Sequence, residues 1–334
     1  MPKKRKSPAS DSNVKNIETL QGRVVKNNGS AYMVELADGS LLPCRIKGNF
    51  RIKGIRTTNP VAVGDEVIIT LQDSDAHYIT AIKPRKNYII RRASNLSKES
   101  HILAANIDRA ILVATLSHPA TPTTFIDRFL ATAEAYNIPA ILVLNKCDLW
   151  DDDDRELADA VRYLYDSLGY TTLYVSALDG IGIESLRELT AEGITLLAGN
   201  SGVGKSSLIN SLSPEANLRT GDISSTHDTG MHTTTFSEMV TLPTGGKLID
   251  IPGVKGFGVI DFQPQEVSHF FPEIFMTGHD CKYSDCLHRG DSPGCAVIRA
   301  VEESRIAQSR YQSYLSILDE ASEDTGTDKY RKPF

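Results

Sequence analysis

The sequence has no long hydrophobic run and little cysteine. No apolar stretch among its 334 residues approaches the roughly 18 that a membrane-spanning helix needs. The basic, polar N-terminus has no apolar segment of the kind that a secretory signal contains, so a cytoplasmic protein is expected. Of the five cysteines, Cys44 and Cys147 stand alone and three cluster beside a histidine. In a cytoplasmic protein, such a cluster favours metal binding over disulfides.

The charge is distributed unevenly along a chain whose length predicts two or three domains. The net charge is −6, but residues 1–98 carry 18 Lys and Arg against 8 Asp and Glu, whereas residues 99–334 carry 18 against 34. A basic N-terminal part on an acidic body predicts a polyanionic partner, with RNA as the first choice. The alternative is a basic surface that is merely solvated.

The N-terminal part divides into a tail and a β-rich module. Residues 1–18 are charged and polar and are predicted to be disordered, including the run Pro2–Lys6, which resembles a nuclear import signal. Residues 19–88 contain short strands separated by turn signals, which predicts an OB-fold barrel, with an SH3-like barrel as second choice. A basic loop within it is a candidate RNA-contacting surface, or a solvated one. Its basic residues are Arg45, Lys47, Arg51, Lys53 and Arg56.

The periodicity changes after a basic linker at Lys83–Arg92. Continuous apolar runs then alternate with segments of helical spacing, as in sheets whose strands are buried on both faces. The predicted strands are Ala110–Thr115, Ala140–Leu144, Thr172–Val175, Ile194–Ala198 and Lys247–Ile249, and the predicted helices are Phe125–Tyr136, 154–168 and one that begins near Lys205. The alternation predicts a doubly wound α/β domain over residues 89–262, followed by a C-terminal domain over residues 263–334.

An eight-residue segment after the fourth of these strands fits the phosphate-loop pattern GxxxxGK[ST]. Its glycines allow backbone N–H groups to turn toward a β-phosphate, and the start of the next helix adds partial positive charge. Lys205 is expected to reach the β- and γ-phosphates, and the Ser206 hydroxyl is expected to ligate Mg²⁺. The predicted nucleotide-binding residues are Gly199, Asn200, Ser201, Gly202, Val203, Gly204, Lys205, Ser206 and Ser207.

The tetrapeptide NKCD at residues 145–148 follows a buried strand and predicts base recognition. The Asp148 carboxylate can accept hydrogen bonds from guanine N1–H and the N2 amine together, and adenine offers neither, so the site is predicted to prefer guanine. Asn145 and Lys146 would buttress the loop and cover the ring. Ser176 and Ala177 end the next strand, where a backbone amide would contact the guanine oxygen.

Two further segments would complete the phosphate end of the site. Asp250 would hold Mg²⁺ through water, and the Gly253 amide would sense the γ-phosphate. Within the threonine-rich segment 229–235, Thr234 is expected to close over Mg²⁺, with Thr233 and Thr235 as alternatives.

The residue after Gly253 is Val254, where many GTPases place a glutamine that orients water. Because valine cannot bond the attacking water, turnover by the isolated protein is expected to be slow. His232 is the candidate catalytic residue in its place, and the alternative is that His232 contacts only a partner or solvent.

The order of these motifs is permuted. Ordinary GTPases run from the phosphate loop through the Mg²⁺ threonine and DxxG to NKxD and Ser-Ala, whereas this chain begins with NKxD and ends with DxxG. All five motifs follow strands, so the same pocket can assemble from either order. The segment after Gly253 leads into the C-terminal domain, which could therefore sense the loss of the γ-phosphate.

The C-terminal domain contains the spacing Cys-x4-Cys-x-His-x6-Cys, formed by Cys281, Cys286, His288 and Cys295. Three thiolates and one imidazole suit a closed, tetrahedral and structural Zn²⁺ site. The alternatives are reduced free thiols and His279 as a substitute ligand.

These motifs and their order resemble the ribosome small-subunit-dependent GTPase A family, of the RsgA/YjeQ type, over roughly residues 20–320. The resemblance implies a circularly permuted α/β P-loop GTPase domain, preceded by an OB-fold barrel and followed by a zinc-binding α-helical domain. It implies a GTPase that uses Mg²⁺ with GTP and acts in late maturation of the small ribosomal subunit, which stimulates it. Other permuted GTPases act on the large subunit but lack this arrangement of domains.

Two other functions remain open from the residues: an RNA-binding placeholder gated by GTP occupancy, and a large-subunit assembly factor. A monomer is expected.

Overall fold

The computed structural model describes residues 19–29, 31–46, 60–72, 76–92, 100–216, 238–250, 262–290 and 292–327. Several predictions lie outside these residues: the N-terminal tail, most of the basic loop, the threonine-rich segment with His232 and Thr234, and the segment with Gly253 and Val254. In the described part of the chain, no helix is long and apolar enough to cross a membrane.

The N-terminal module is a closed barrel of five strands. They are β1 (Thr19–Asn27), β2 (Tyr32–Leu36), β3 (Leu41–Ile46), β4 (Glu66–Gln72) and β5 (Ala76–Ile82). The strand order is β1-β2-β3-β5-β4, and β4 pairs with β1 to close the barrel. Alternate residues such as Tyr32 and Val34 point inward and are buried in the barrel core. The OB-like barrel, the first of the two predicted choices, is confirmed.

A two-stranded hairpin connects the barrel to the next domain. It consists of β6 (Tyr88–Arg92) and β7 (Ser100–Ala105). The sequence predicted a linker over Lys83–Arg92, but Tyr88–Arg92 forms a strand because its Ile89 is fully buried in the core of the following domain. The basic residues around this short apolar stretch concealed it.

The central domain is built on a parallel sheet in the order β10-β9-β8-β11-β13. A short strand, β12, pairs antiparallel to β13 at its edge. The strands are β8 (Arg109–Ala114), β9 (Ala140–Asn145), β10 (Thr171–Val175), β11 (Ile194–Gly199), β12 (Glu238–Thr241) and β13 (Lys247–Asp250). All six residues of β11 are buried, as a strand covered on both faces requires.

Helices cover both faces of this sheet, which confirms the predicted doubly wound α/β class. They are α1 (Thr123–Ala135), α2 (Asp152–Ser167), α3 (Ile183–Leu189) and α4 (Lys205–Leu212). Phe129 and Tyr165 of α1 and α2 pack in one core, and Leu186 and Leu208 of α3 and α4 pack in another. The sequence did not predict α3 and β12, which are too short for a clear period.

The C-terminal region is helical, with α5 (Pro272–Gly278), α6 (Ala296–Glu302) and α7 (Gln308–Thr327). α7 buries Tyr314 and Leu318 at helical spacing in a separate core. The same core includes Ala131 of α1, so the C-terminal helices pack directly on the central domain.

Candidate functional site

The predicted nucleotide-site residues in the described part of the chain lie at the carboxyl ends of the parallel strands. Asn145 ends β9, Gly199 ends β11 and Asp250 ends β13, while Ser176 and Ala177 directly follow β10. In open α/β sheets, ligands bind in the crevice outside this edge. The fold therefore brings together segments that are more than a hundred residues apart in the sequence.

The phosphate loop approaches its neighbours so closely that two positions require glycine. Gly199 has φ 150°, and a Cβ there would lie 2.4 Å from the backbone oxygen of Val113. Gly204 has φ 95°, and a Cβ there would lie 2.3 Å from Asn145 Nδ2. Since α4 begins at Lys205, the loop ends at a helix N-terminus, where backbone N–H groups are free to bind an anion.

Lys205 and Asp250 lie in the same partly buried region beside this loop. Lys205 Nζ donates to the carbonyl oxygens of Gly199, at 2.7 Å, and Asn200, at 2.9 Å. Burial lowers the pKa of Lys205 by more than the nearby negative charge of Asp250 raises it. Burial likewise raises the pKa of Asp250 by more than the nearby positive charge of Lys205 lowers it.

One carboxylate oxygen of Asp250 is left without a hydrogen-bond partner. Asp250 Oδ1 is buried and has none among the described residues. A buried carboxylate without a partner is costly, and a hydrated divalent cation would satisfy it. The donor chemistry at this strand end therefore fits a Mg²⁺ ion.

The base-reading loop is attached to the phosphate loop by Asn145. This side chain is 2% exposed, and its Nδ2 donates to the Val203 carbonyl oxygen at 2.8 Å. The next residue, Lys146, has φ 63°, and its Nζ donates to the backbone oxygen of His118 at 2.5 Å. Asp148 follows in the short 3-10 turn Cys147–Leu149.

The loop after β10 is fixed by its own hydrogen bonds. The Ser176 Oγ accepts from the backbone N–H of Asp179 at 3.0 Å, and the Ser176 N–H donates to the Ile181 carbonyl at 3.0 Å. The Ala177 carbonyl accepts from Ser211 Oγ at 3.4 Å, which connects this loop to α4. The loop is therefore held beside the helix that follows the phosphate loop.

The structure adds a contact that the sequence did not predict. The segment between β8 and α1, which includes His118 and Pro119, lies against both Lys146 and Gly202. No sequence motif marks it, and its position after a buried parallel strand was the only available signal. Of the predicted residues, His232, Thr234 and Gly253 are outside the described residues.

The four predicted metal ligands of the C-terminal region meet in one place. Cys281, Cys286, His288 and Cys295 each offer a ligand atom, and these atoms lie within 4.8 Å of one another. His288 Nδ1 lies 3.5 Å from the sulfurs of Cys281 and Cys295, which are 3.9 Å apart. His279 is not in this group, and its ring instead packs against Phe275 at 4.9 Å.

The surroundings of the cluster suit a metal ion. The backbone N–H of Ala296 points to Cys281 Sγ at 3.3 Å, and that of Ile298 to Cys295 Sγ at 3.5 Å, so both would stabilise thiolates. Burial lowers the pKa of His288, which favours the neutral imidazole that can ligate. Burial raises the pKa of Cys295 to about 12, so a cation is needed to favour its thiolate. The cluster can bind a metal.

The base-reading loop at residues 145–148, the phosphate loop and Asp250 meet at the carboxyl ends of the strands. Because the base-reading loop comes before the phosphate loop in the chain, these residues define the class as a circularly permuted GTPase. The RsgA GTPase family model matches residues 82–260, and the RsgA N-terminal domain model matches residues 21–79. The chain belongs to the RsgA GTPase family and is accordingly a GTP-hydrolysing enzyme.

Similar proteins match the chain over nearly its whole length. Those named small ribosomal subunit biogenesis GTPase RsgA include one from Bacteroides fragilis, 53% identical over 315 residues, and one from Porphyromonas gingivalis, 54% identical over 320 residues. Each alignment covers 94% of this chain and 100% of the relative.

Two solved structures share the fold. The crystal structure of YjeQ from Thermotoga maritima is 34% identical with a TM-score of 0.73 and covers 91% of this chain and 99% of that one. YloQ, described as a circularly permuted GTPase, is 28% identical with a TM-score of 0.68, covering 95% of this chain and 97% of that one.

Proposed function

We propose that this GTPase acts in the maturation of the small ribosomal subunit, binds its rRNA and is stimulated by it. The observation that carries the proposal is the full-length match to relatives named for small-subunit biogenesis, covering 94% of this chain and 100% of each relative. The barrel, the permuted site and the Cys/His cluster all fall within that match. The proposed place of action is the cytoplasm, as a monomer.

Guanine specificity is assigned to the base-reading loop and the loop after β10. Asp148 accepts from guanine N1–H and the N2 amine, Asn145 and Lys146 hold and cover this side of the site, and the backbone at Ser176 and Ala177 contacts the guanine oxygen. The hydrogen bond from Asn145 to Val203 supports this assignment, because it fixes the base-reading loop relative to the phosphate loop.

The triphosphate is assigned to residues 199–207, with Lys205 on the β- and γ-phosphates. Ser206 and Asp250, the latter through water, would hold Mg²⁺, and the buried Asp250 Oδ1 supports this role. The ion would neutralise charge on the phosphates. Thr234 is proposed as a further Mg²⁺ ligand and Gly253 as the γ-phosphate sensor.

His232 is proposed to orient the attacking water, because Val254 cannot bond it. If His232 does so only when a partner positions it, the isolated enzyme turns over slowly and the subunit accelerates it.

The cluster of Cys281, Cys286, His288 and Cys295 is proposed to hold one structural Zn²⁺ ion. Tetrahedral zinc with bonds of about 2.3 Å to sulfur and about 2.0 Å to nitrogen places two sulfurs about 3.8 Å apart and a sulfur and nitrogen about 3.5 Å apart. The separations of 3.9 Å between Cys281 and Cys295 and of 3.5 Å to His288 Nδ1 agree with these values. Four protein ligands leave no position for substrate.

The barrel is proposed to contact rRNA through the basic loop that contains Arg45. Three cations near this loop in the sequence are already paired: Arg23 with Glu66, Lys26 with Glu238 and Arg85 with Asp65. Arg45 is exposed and has no ion pair among the described residues. The proposed domains are a tail at 1–18, the barrel at 19–88, the GTPase domain at 89–262 and the metal domain at 263–334.

The proposal is tested by GTP turnover of the full chain alone, with small subunits and with large subunits, using Lys205→Ala as the site control. Small subunits, but not large subunits, are expected to raise the GTP turnover of the chain. The increase should be about tenfold or more if the small subunit completes the water-orienting step. Lys205→Ala should abolish the stimulated rate. No stimulation by either subunit would favour the GTP-gated RNA-binding placeholder that Val254 keeps open, and stimulation only by large subunits would favour a large-subunit factor.

A further inference from the structure

The segment that joins β8 to α1 is a turn closed by two hydrogen bonds between its ends and by a third to Pro119. The Thr121 N–H donates to the Thr115 carbonyl at 2.8 Å, and the Thr115 N–H donates to Thr121 Oγ1 at 3.1 Å. Thr115 Oγ1 also donates to the Pro119 carbonyl at 2.5 Å. Thr115 is 1% exposed, so its hydroxyl has no access to solvent as an alternative partner.

This Thr115–Thr121 turn contacts both loops of the nucleotide site. The His118 carbonyl accepts the hydrogen bond from Lys146 Nζ at 2.5 Å. On the other side, Pro119 Cδ lies 3.4 Å from where a Cβ on Gly202 would be, so the ring packs on the phosphate loop. Ser117 Oγ donates to Asp154 Oδ2 at 3.3 Å, which attaches the turn to the first turn of α2.

The turn therefore supplies a hydrogen-bond acceptor for the Lys146 ammonium. A free lysine side chain samples many rotamers, and fixing it in advance lowers the cost of binding. The hydroxyl of Thr115 is the buried group that fixes the carbonyl side of the turn, one residue from the His118 carbonyl.

We propose that Thr115 is a positioning residue of the guanine-nucleotide site. Through the Thr115–Thr121 turn, it holds the His118 carbonyl against Lys146 and the Pro119 ring against Gly202. It does not touch the nucleotide itself. The inference rests on the proposed role of Lys146 in covering the base.

The test measures calorimetric binding of GDP and of a non-hydrolysable GTP analogue to the full chain. Thr115→Val keeps the shape of the side chain but removes the hydroxyl that donates to the Pro119 carbonyl. It is expected to weaken both affinities by about five- to tenfold. Thr115→Ser restores the hydroxyl and should recover most of the affinity.

A double-mutant cycle separates positioning from a general structural role. If Thr115 acts through Lys146, Thr115→Val should have little further effect in a Lys146→Ala background. Equal losses in both backgrounds would overturn the proposal, as would wild-type affinity in Thr115→Val. If Thr115→Val does not fold, Thr121→Val, with Thr121→Ser as its control, removes the acceptor of the Thr115 N–H and is put through the same cycle.

The outcome is distinguishable from failure of the proposed function. If the wild-type chain binds no guanine nucleotide, the function itself is wrong. If wild type binds and the Thr115 and Thr121 variants match it, only the positioning role is wrong.

Discussion

Lys26 of the barrel and Asp250 of the nucleotide site lie on one rung of a continuous sheet, with only Glu238 between them. Glu238 of β12 pairs with Lys26 of β1 on one side and with Asp250 of β13 on the other. The rung continues to Leu197 of β11, the strand that leads into the phosphate loop. The barrel is therefore an extension of the nucleotide-binding sheet, which has eleven strands in total among the described residues.

The barrel should be held to this sheet by the ion pair of Glu35 and Lys247. Their side chains are 22% and 20% exposed. Lys247→Glu should lower the free energy of unfolding by about 1 kcal/mol or more, and adding Glu35→Lys should recover part of the loss. Urea denaturation of the single and double variants measures both the loss and the recovery of unfolding free energy.

The matched control is the more exposed pair of Lys26 and Glu238, at 39% and 57%, where reversal should cost less. If the Glu35→Lys and Lys247→Glu effects simply add, the pair does not couple the two domains.

The C-terminal helices should depend on Arg310. Its buried guanidinium donates to Asp127 at 2.9 Å and to both oxygens of Glu273 at 2.7 and 3.1 Å. Arg310→Met would leave two carboxylates buried without their cation and should cost about 3–5 kcal/mol. Arg305→Met, at an exposed pair with Glu303, should cost less than about 0.5 kcal/mol. Similar losses of unfolding free energy in the two variants would contradict this reading.

Acid sensitivity should come partly from Asp108. Burial raises the pKa of Asp108, but the hydrogen bonds from Lys86 and from the Ile194 N–H, at 2.6 Å, together with the positive charges of Lys86 and Arg109, outweigh burial and hold the pKa below its usual value. A lowered folded-state pKa means that the stabilisation is present above the unfolded-state pKa and is lost as pH falls through the folded value.

Unfolding free energies measured from pH 7 to pH 2 should therefore fall less steeply below about pH 4 in Asp108→Asn than in wild type. Asp108→Asn should also be less stable at pH 7. Glu302→Gln removes one exposed negative charge from the end of α6 and serves as the control. Parallel curves for wild type and Asp108→Asn would exclude this source of acid sensitivity.

Metal content should depend on Cys286 and not on Cys44. Cys286→Ser removes one of four ligands and should release the ion and destabilise the C-terminal core. Cys44 is buried alone in the barrel, where burial raises its pKa to about 11, so Cys44→Ser should retain the metal. Elemental analysis of the purified variants measures their metal content. A wild-type protein that is fully folded without metal would refute the proposed metal site.

Base preference should follow Asp148. Asp148→Asn removes the acceptor for the N2 amine and should weaken GTP binding by about ten- to a hundredfold while improving binding of XTP, whose base carries an oxygen there. Asp153→Asn makes the same change at an exposed position in α2 and should change neither affinity. Unchanged GTP affinity in Asp148→Asn would remove the base assignment.

Much of the fold could be predicted because its signals are local. The apolar runs of β8, β9 and β11 mark strands buried on both faces, and Gly204-Lys205 marks the start of α4 within one residue. β6 and β12 were missed because the apolar side chains that hold them, Ile89 and Met239, pack against residues far along the chain. Ile89 of β6 and Met239 of β12 share one core, yet neither segment has a period long enough to detect.

The sequence by itself determined which chemical groups the protein carries and in what order: the base-reading loop, the phosphate loop, Asp250 and the Cys/His cluster. Motifs of this kind depend on spacing and on glycine backbone freedom, which are properties of a few adjacent residues. Only the tertiary structure decided that Lys26 shares a rung with Asp250, that Arg310 pairs with Asp127 and that the His118 carbonyl holds Lys146. Each of these contacts joins residues that come close only after the strands and helices have packed, so no local pattern encodes them.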